Sequence, residues 1–126
     1  MKLLLDTHVL LWWLADHPSL PDEARTAIAE PGNEVLVSAA TVWEIAIKQE
    51  AGRLDAPTDL LDALAANDFD PLPITAAHAV LAATLPHHHL DPFDRMLVAQ
   101  ARLEGLRLAS VDERVRAYEV EVLPVR

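Results

Sequence analysis

Short apolar segments alternate with longer helix-like segments along nearly the whole chain, and this alternation limits the folds open to it. The pattern predicts strands at residues 2–5, 34–38, 106–110 and 120–125. A weaker strand, restricted to a sheet edge by Pro71 and Pro73, is predicted near residues 69–74. Because helices connect the strands, the strands should pair in parallel through right-handed crossovers. The sequence therefore predicts a three-layer α/β/α sandwich with a central, mostly parallel sheet.

The segments between these strands carry helix start and stop signals. The clearest start is Asp91-Pro92-Phe93-Asp94, where Asp91 is predicted to be the N-cap and Pro92 the first helical residue. Gly105 is predicted to end that helix. Further helices are predicted after residues 6, 20 and 111, and over 40–51, 58–66 and 75–85.

Length and composition indicate a single domain, residues 1–126, that folds alone or nearly so. Of its 126 residues 52% are apolar and 24% charged, which is enough apolar material for a core. The chain has no cysteine, which excludes disulfides, thiolate metal sites and cysteine nucleophiles. Its glycines are isolated and no serine lies in a G-x-S-x-G motif, so phosphate-cradling loops and serine-hydrolase chemistry lack support.

The sequence predicts neither a membrane span nor an export signal. The longest apolar run, residues 9–15, is far shorter than the roughly 20 residues that a membrane-spanning helix needs. Met1-Lys2-Leu3 leads directly into the first predicted strand. We therefore expect a soluble, cytoplasmic protein that does not contact a membrane.

The net charge is strongly negative, at −10 from 10 basic and 20 acidic residues. Such a surface disfavours broad electrostatic contact with nucleic acid. Any nucleic-acid function therefore requires bound cations, or local basic side chains such as Lys48, Arg95 and Arg114.

Several acidic residues follow or flank the predicted strands at one edge of the sheet. Asp6 closes the first strand, Asp112 follows the strand that ends at Ser110, and Asp94 lies in the first turn of a crossover helix. In such sheets ligands bind at the carboxyl ends of the strands, where the strand order reverses. Glu44 lies in a largely apolar helix, where a carboxylate needs a partner or a cation. We expect these four carboxylates to face one crevice.

Each of these acids also has an ordinary structural explanation. Short acids at helix starts are common caps, which accounts fully for Asp91 and is an alternative for Asp6, Asp94 and Asp112. For Glu44 the alternative is a pair with Lys48, four residues later on the same helix. Four converging carboxylates, however, would repel one another and raise one another's pKa unless a divalent cation neutralised them. Oxygen ligands without cysteine suit Mg²⁺ or Mn²⁺, and such a site is suited to phosphodiester hydrolysis.

Four blocks of sequence together resemble a known family. They are L-L-L-D-T-H at 3–8, S-A-A-T-V-W-E-I-A-I-K at 38–48, D-P-F-D-R-M-L-V-A-Q-A at 91–101 and S-V-D at 110–112. In this order, and over essentially the whole chain, they look like the PIN-domain ribonucleases of the VapC type, the toxins of type II toxin–antitoxin pairs. The resemblance implies a PIN-like parallel α/β/α sandwich, RNA cleavage that depends on Mg²⁺ or Mn²⁺, and a small antitoxin partner.

The same resemblance assigns individual residues to the site. Asp6, Glu44, Asp94 and Asp112 fall on the acidic metal-binding positions of the family, which makes them candidate metal ligands and catalytic residues. Ser110 falls where the family often has Thr or Ser near the metal-bound water. Because no acidic position is missing, the resemblance implies an active endoribonuclease with RNA as its substrate.

Histidines and tryptophans near these blocks allow more than one interpretation. The consecutive histidines at 87–89 favour a polar loop, with RNA contact by His89 as the alternative. His8 fits either the rim of the site or packing. Core or interface packing is favoured over base stacking for the three tryptophans, Trp12, Trp13 and Trp43.

Two other classes of protein remain open. A phosphoacceptor receiver domain shares the doubly wound sheet and an acidic pocket, but it needs a second acid after the first strand, where Thr7 follows Asp6, and a lysine after the last strand. A non-catalytic PIN-fold module that binds RNA or protein is the other alternative. Metal-dependent RNA cleavage separates the endoribonuclease from both.

The first predicted helix indicates an assembly. Residues 8–15 are apolar on nearly every face, and such a helix must be buried all round. One face of an outer-layer helix packs on the sheet, so we expect a second chain to cover the other, giving a homodimer that also binds its antitoxin. The alternative is that neighbouring helices of the same chain cover Trp12 and Trp13.

Overall fold

The computed structural model describes residues 1–54, 56–88, 91–118 and 122–124. Within these ranges the strands are β1 (Lys2–Leu5), β2 (Glu34–Ser38), β3 (Asp70–Leu72), β4 (Arg107–Ser110) and β5 (Val122–Pro124). They form one sheet in the order β3-β2-β1-β4-β5, and every neighbouring pair is parallel. The weak strand was predicted at an edge, and β3 lies there. Residues 120, 121 and 125 of the predicted last strand lie outside the described ranges.

Helices connect the strands on both faces of the sheet. They are α1 (Thr7–Leu14), α2 (Asp22–Ala29), α3 (Ala39–Glu50), α4 (Leu60–Ala66), α5 (Ala76–Thr84) and α6 (Pro92–Glu104), followed by a 3₁₀ helix (Glu113–Ala117). As predicted, Asp91 caps α6 by accepting hydrogen bonds from the backbone of Phe93 and Asp94, and Gly105 ends it in the left-handed conformation. No helix of the described part is both long and apolar enough to span a bilayer.

Alternate residues of each central strand face opposite helical layers. Leu3 and Leu5 of β1 pack in a buried cluster with residues of α1, α2 and α4. Leu4 of β1 and Leu108 of β4 pack in a second cluster with residues of α5 and α6. Each fully buried leucine contributes about 1.5–3 kcal/mol relative to an exposed one. The two clusters hold the sheet between its helices, which confirms the predicted three-layer sandwich.

The strand order reverses at the centre of the sheet. From β1 the chain moves to β2 and β3 on one side, and it then crosses over to β4 and β5 on the other. The backbone N–H of Asp6 donates to the carbonyl of Ala109 at 3.0 Å, which ties the carboxyl end of β1 to that of β4. The residues that follow Leu5 and Ser110 therefore meet where a doubly wound sheet binds its ligands.

The chain itself covers much of α1. Val9 and Leu10 are fully buried, and the larger apolar residues that follow are half-buried against the same cluster. Trp13 packs on Phe69, and its indole N–H donates to the side-chain oxygen of Asn67 at 3.0 Å. For Trp13 the alternative interpretation is confirmed, because residues of its own chain cover it. The homodimer stays a prediction.

Candidate active site

Asp6 is a buried carboxylate at the carboxyl end of the central strand. It is 4% exposed, and its Oδ1 caps α1 by accepting a hydrogen bond from the Val9 backbone at 2.8 Å. Burial raises the pKa of the Asp6 carboxyl above its ordinary value. Hydrogen bonding from Ser110 and the nearby imidazole of His8 act in the opposite direction and lower this pKa. These contacts therefore offset part of the cost that burial imposes on the ionised form of Asp6.

Ser110 connects Asp6 to the loop after β4. The Ser110 side chain is buried, and its hydroxyl oxygen accepts a hydrogen bond from the Asp112 backbone at 3.1 Å. A hydrogen bond from the Ser110 side chain lowers the pKa of Asp6 and so favours the ionised form of that carboxyl. Ser110 thus fixes the start of the Asp112 loop next to the central carboxylate.

Asp112 is the N-cap of the 3₁₀ helix and the partner of Arg114. Its Oδ1 accepts from the Arg114 backbone at 2.9 Å. The Arg114 guanidinium binds the same carboxylate in a bidentate manner, with Nε 3.1 Å from Oδ1 and Nη2 3.0 Å from Oδ2. Because the Arg114 side chain is 63% exposed, water screens this ion pair and its net stabilisation is small. A stronger cation could displace it at little cost.

The Arg114 guanidinium interacts electrostatically with Asp94 as well as with Asp112. The hydrogen bonds and charge of Asp112 are the main causes that raise the pKa of Arg114, and the charges of Asp94 and Asp91 raise it further. The guanidinium therefore lies in the combined field of three carboxylates from α6 and the loop after β4. Two of the three, Asp94 and Asp112, are residues that the sequence predicted for the site.

Glu44 joins the site from α3. Glu44 is 7% exposed, and its Oε1 accepts a hydrogen bond from the hydroxyl of Thr7 at 2.5 Å. Thr7 directly follows Asp6 in the sequence. The Oε2 of Glu44 lies 2.6 Å from the ammonium of Lys48, one turn further along α3. The buried Glu44 carboxylate thus has the partner that the sequence required. Sequence reasoning did not identify Thr7 as that partner, although its position directly after Asp6 was the available signal.

The site residues form three linked parts rather than one tight cluster. Asp6, Ser110 and Asp112 are connected directly, whereas Glu44 joins through Thr7. Asp94 joins through the field around Arg114. Within the described ranges, no three acidic or histidine side chains lie close enough to hold an ion as they are placed. The main cause of the raised Asp6 pKa is burial, rather than the repulsion between carboxylates expected for a site without a cation.

The donor set nevertheless fits a hard divalent cation. All four candidate ligands are carboxylates at one edge of the sheet, and oxygen donors are what Mg²⁺ and Mn²⁺ prefer. A buried carboxylate whose pKa is raised by burial would be stabilised by a positive charge. Lys48 and Arg114 now supply such charge to Glu44 and Asp112.

The histidines and Arg95, which the sequence also singled out, lie in different parts of the structure. His8 is exposed beside Asp6, which places it at the rim. The ring of His88 packs against Tyr118 at a centroid distance of 5.0 Å. His89 lies outside the described residues. Arg95, which the sequence had offered as a basic side chain for nucleic-acid contact, binds the carbonyl oxygens of Ala82 and Leu85 at 2.9 and 2.8 Å and so caps α5.

The fold and the sequence place the chain in a known class of protein. The chain belongs to the PIN-domain family, whose model matches residues 3–121. Its resemblance to the VapC type is confirmed by a relative: the chain is 35% identical over 118 residues to Ribonuclease VapC22 of Mycobacterium tuberculosis, and the match covers 91% of this chain and 90% of that protein.

Solved structures support the same fold. VapBC2 from Rickettsia felis superposes with a TM-score of 0.72 at 13% identity, covering 98% of each chain. VapBC from Salmonella typhimurium gives 0.71 at 16% identity, with coverage of 98% of this chain and 97% of that one. FitAcB from Neisseria gonorrhoeae gives 0.65 at 20% identity, with coverage of 97% and 96%.

Asp6→Asn should raise the melting temperature by a few degrees at pH 7. Asn caps a helix about as well as Asp, and it removes the buried charge. The folded protein binds the Asp6 proton more tightly than the unfolded chain does, so stability falls as the pH rises from about 4 through the raised pKa of the folded state. The advantage of Asn should therefore shrink as the pH falls through the raised pKa and should be lost at about pH 4, as measured by thermal unfolding across pH.

Asp70→Asn is the matched control, because Asp70 is an exposed acid on the edge strand and its replacement should change stability little. An Asp6→Asn variant that is less stable than the parent at pH 7 would contradict the assignment of Asp6 as a buried, costly charge.

Proposed function

We propose that the protein is a metal-dependent endoribonuclease that acts as the toxin of a toxin–antitoxin pair. The observation that carries this proposal is the buried Asp6 carboxylate at the strand-order reversal, joined by Ser110 to Asp112. The relative at 35% identity is named a ribonuclease, and several structural neighbours are toxin–antitoxin complexes. A non-catalytic PIN-fold module would keep the fold but would not cleave RNA.

Asp6, Glu44, Asp94 and Asp112 would hold Mg²⁺ or Mn²⁺. When bound, such an ion makes water a better nucleophile at neutral pH and offsets charge that develops on the phosphate. Ser110 keeps the Asp112 loop beside Asp6 and favours the ionised form of that carboxylate. The site lies in a single domain that we assign to residues 1–126, and it would meet its RNA in the cytoplasm.

The side chains around these carboxylates would keep them ready for the reaction. Lys48 and Thr7 hold Glu44 in place and satisfy both of its oxygens. Arg114 holds Asp112 through an exposed, readily displaced contact. The guanidinium, once released from Asp112, would remain at the rim, where it can bind a phosphate of the RNA backbone.

We propose that the protein binds an antitoxin and a second copy of itself. The complexes named VapBC, and a toxin–antitoxin complex from Klebsiella pneumoniae, have the fold of this chain. A net charge of −10 favours a partner that brings basic residues to the acidic edge. We further propose that two copies form a homodimer through the half-buried residues of α1.

Asp94→Asn and Asp112→Asn should each lower the rate of RNA cleavage at least about 100-fold, because a metal-ligand charge contributes several kcal/mol to transition-state stabilisation. Asp91→Asn is the matched control. It replaces the N-cap of α6 by an equally good cap and should keep most of the activity. Cleavage of single-stranded RNA with and without EDTA measures the effect. An Asp94→Asn enzyme with full metal-dependent activity would contradict the site assignment.

Mn²⁺ or Mg²⁺ should raise the melting temperature, since an ion that binds only the folded state stabilises it by about 2.7 kcal/mol at a hundredfold excess over its Kd. Glu44→Gln should reduce this shift. Glu34→Gln is the control, because Glu34 lies at the amino end of β2, away from the carboxyl ends of the strands where the site is. It should leave the metal-induced shift in melting temperature unchanged. A melting temperature that does not change across millimolar metal would count against a cation site.

The isolated protein should scatter light as a dimer at micromolar concentration and should bind the product of the adjacent reading frame. Replacing half-buried Leu11 of α1 by Glu should favour the monomer, because a charge disrupts an apolar interface. The same substitution at Leu61, an exposed residue of α4, is the control. A strict monomer that binds no such product would contradict both partner assignments.

A further inference from the structure

Trp43 is a large aromatic residue on the surface of the protein. It lies on α3 with 62% of its area exposed, and it contacts Phe93 at the start of α6. The ring centroids are 5.6 Å apart and the planes meet at 70°, an edge-on contact that fixes the indole without covering it. The sequence favoured core or interface packing for Trp43. The structure overturns the core alternative, because the Trp43 ring faces solvent.

The aromatic pair flanks the acidic site in sequence and in space. Trp43 directly precedes Glu44, and Phe93 directly precedes Asp94. Successive helical residues point about 100° apart. Glu44 therefore turns inward to Thr7, whereas Trp43 turns outward to the start of α6. The exposed indole thus stands at the rim between the two helices that supply these carboxylates.

A binding surface for RNA at this rim cannot rely on charge alone. The protein has a net charge of −10, and the four carboxylates repel phosphates. Stacking of a base on an aromatic ring needs no positive charge, tolerates any sequence and requires an unpaired base. Stacking on an exposed tryptophan beside the acidic site would therefore add affinity for RNA that the negatively charged surface does not provide.

We propose that Trp43, oriented by Phe93, is the stacking platform for an unpaired nucleobase next to the phosphodiester that the acidic site cleaves. This inference rests on the proposed function. It makes single-stranded RNA the preferred substrate form, since a paired base cannot reach the ring. Trp43 would contact substrate outside the reacting atoms, so it contributes to binding rather than to the chemical step.

The test measures binding of a fluorescein-labelled single-stranded oligoribonucleotide in the Asp112→Asn background, with EDTA present so that cleavage is slowed further. Trp43→Ala should weaken binding about 5- to 100-fold, the equivalent of about 1–3 kcal/mol per stacked base. The dependence of log Kd on log salt concentration should not change, because stacking releases no counterions. Trp43→Phe should keep most of the affinity.

Ile47→Ala is the matched control, because Ile47 is an exposed apolar residue one turn further along α3. It should change Kd less than twofold. An RNA with one abasic residue next to the cleaved bond should bind the parent protein as weakly as intact RNA binds Trp43→Ala. Combining the two changes should add little, as expected for groups that contact each other.

The outcomes separate this inference from the function on which it rests. If the parent protein cleaves RNA but Trp43→Ala and Trp43→Phe bind it with unchanged Kd, the stacking platform is overturned and the ribonuclease stands. Loss of antitoxin binding with unchanged RNA binding would identify the rim as a protein-docking surface and would also overturn the inference. If the parent protein neither binds nor cleaves RNA, the proposed function itself fails. Thermal unfolding shows whether Trp43→Ala folds, and Trp43→Phe gives the answer if it does not.

Discussion

The burial of one carboxyl group, that of Asp6, is the constraint on which the arrangement of the site depends. Asp6 lies where β1 ends at the centre of the sheet, so neighbouring strands and α1 exclude water from it. A buried carboxylate is costly unless hydrogen bonds or opposite charge stabilise it. The Val9 backbone and the Ser110 hydroxyl provide hydrogen bonds. The remaining stabilisation would come from a cation, which the proposed function requires at this position.

The same principle explains the basic side chains near the other acids. Lys48 and Arg114 neutralise Glu44 and Asp112, respectively, but in different ways. The Glu44 carboxylate is nearly inaccessible, so breaking its contact with Lys48 would leave a buried charge without its partner. The Arg114 guanidinium is mostly solvated and can leave Asp112 at small cost. The ion pair of Glu44 with Lys48 is therefore expected to stay in place, whereas that of Asp112 with Arg114 can exchange for another cation.

Sequence periodicity and caps predicted the parallel sheet, the edge position of β3 and the N-cap role of Asp91, because these features depend on local residue patterns. The meeting of Asp6 with the residues after Ser110 followed from sheet topology. Long-range side-chain contacts were beyond such reasoning. The bond of Thr7 to Glu44 spans 37 positions. The exposure of Trp43 depends on where α6 begins relative to α3, which residue type alone does not determine.

Anomalous scattering from crystals soaked in Mn²⁺ tests whether the four carboxylates hold a divalent cation. We predict a manganese peak held by Asp6, Glu44, Asp94 and Asp112, with the Arg114 guanidinium moved away from Asp112. A structure at saturating Mn²⁺ without a peak at this edge of the sheet, and with Arg114 still bidentate on Asp112, would contradict this prediction.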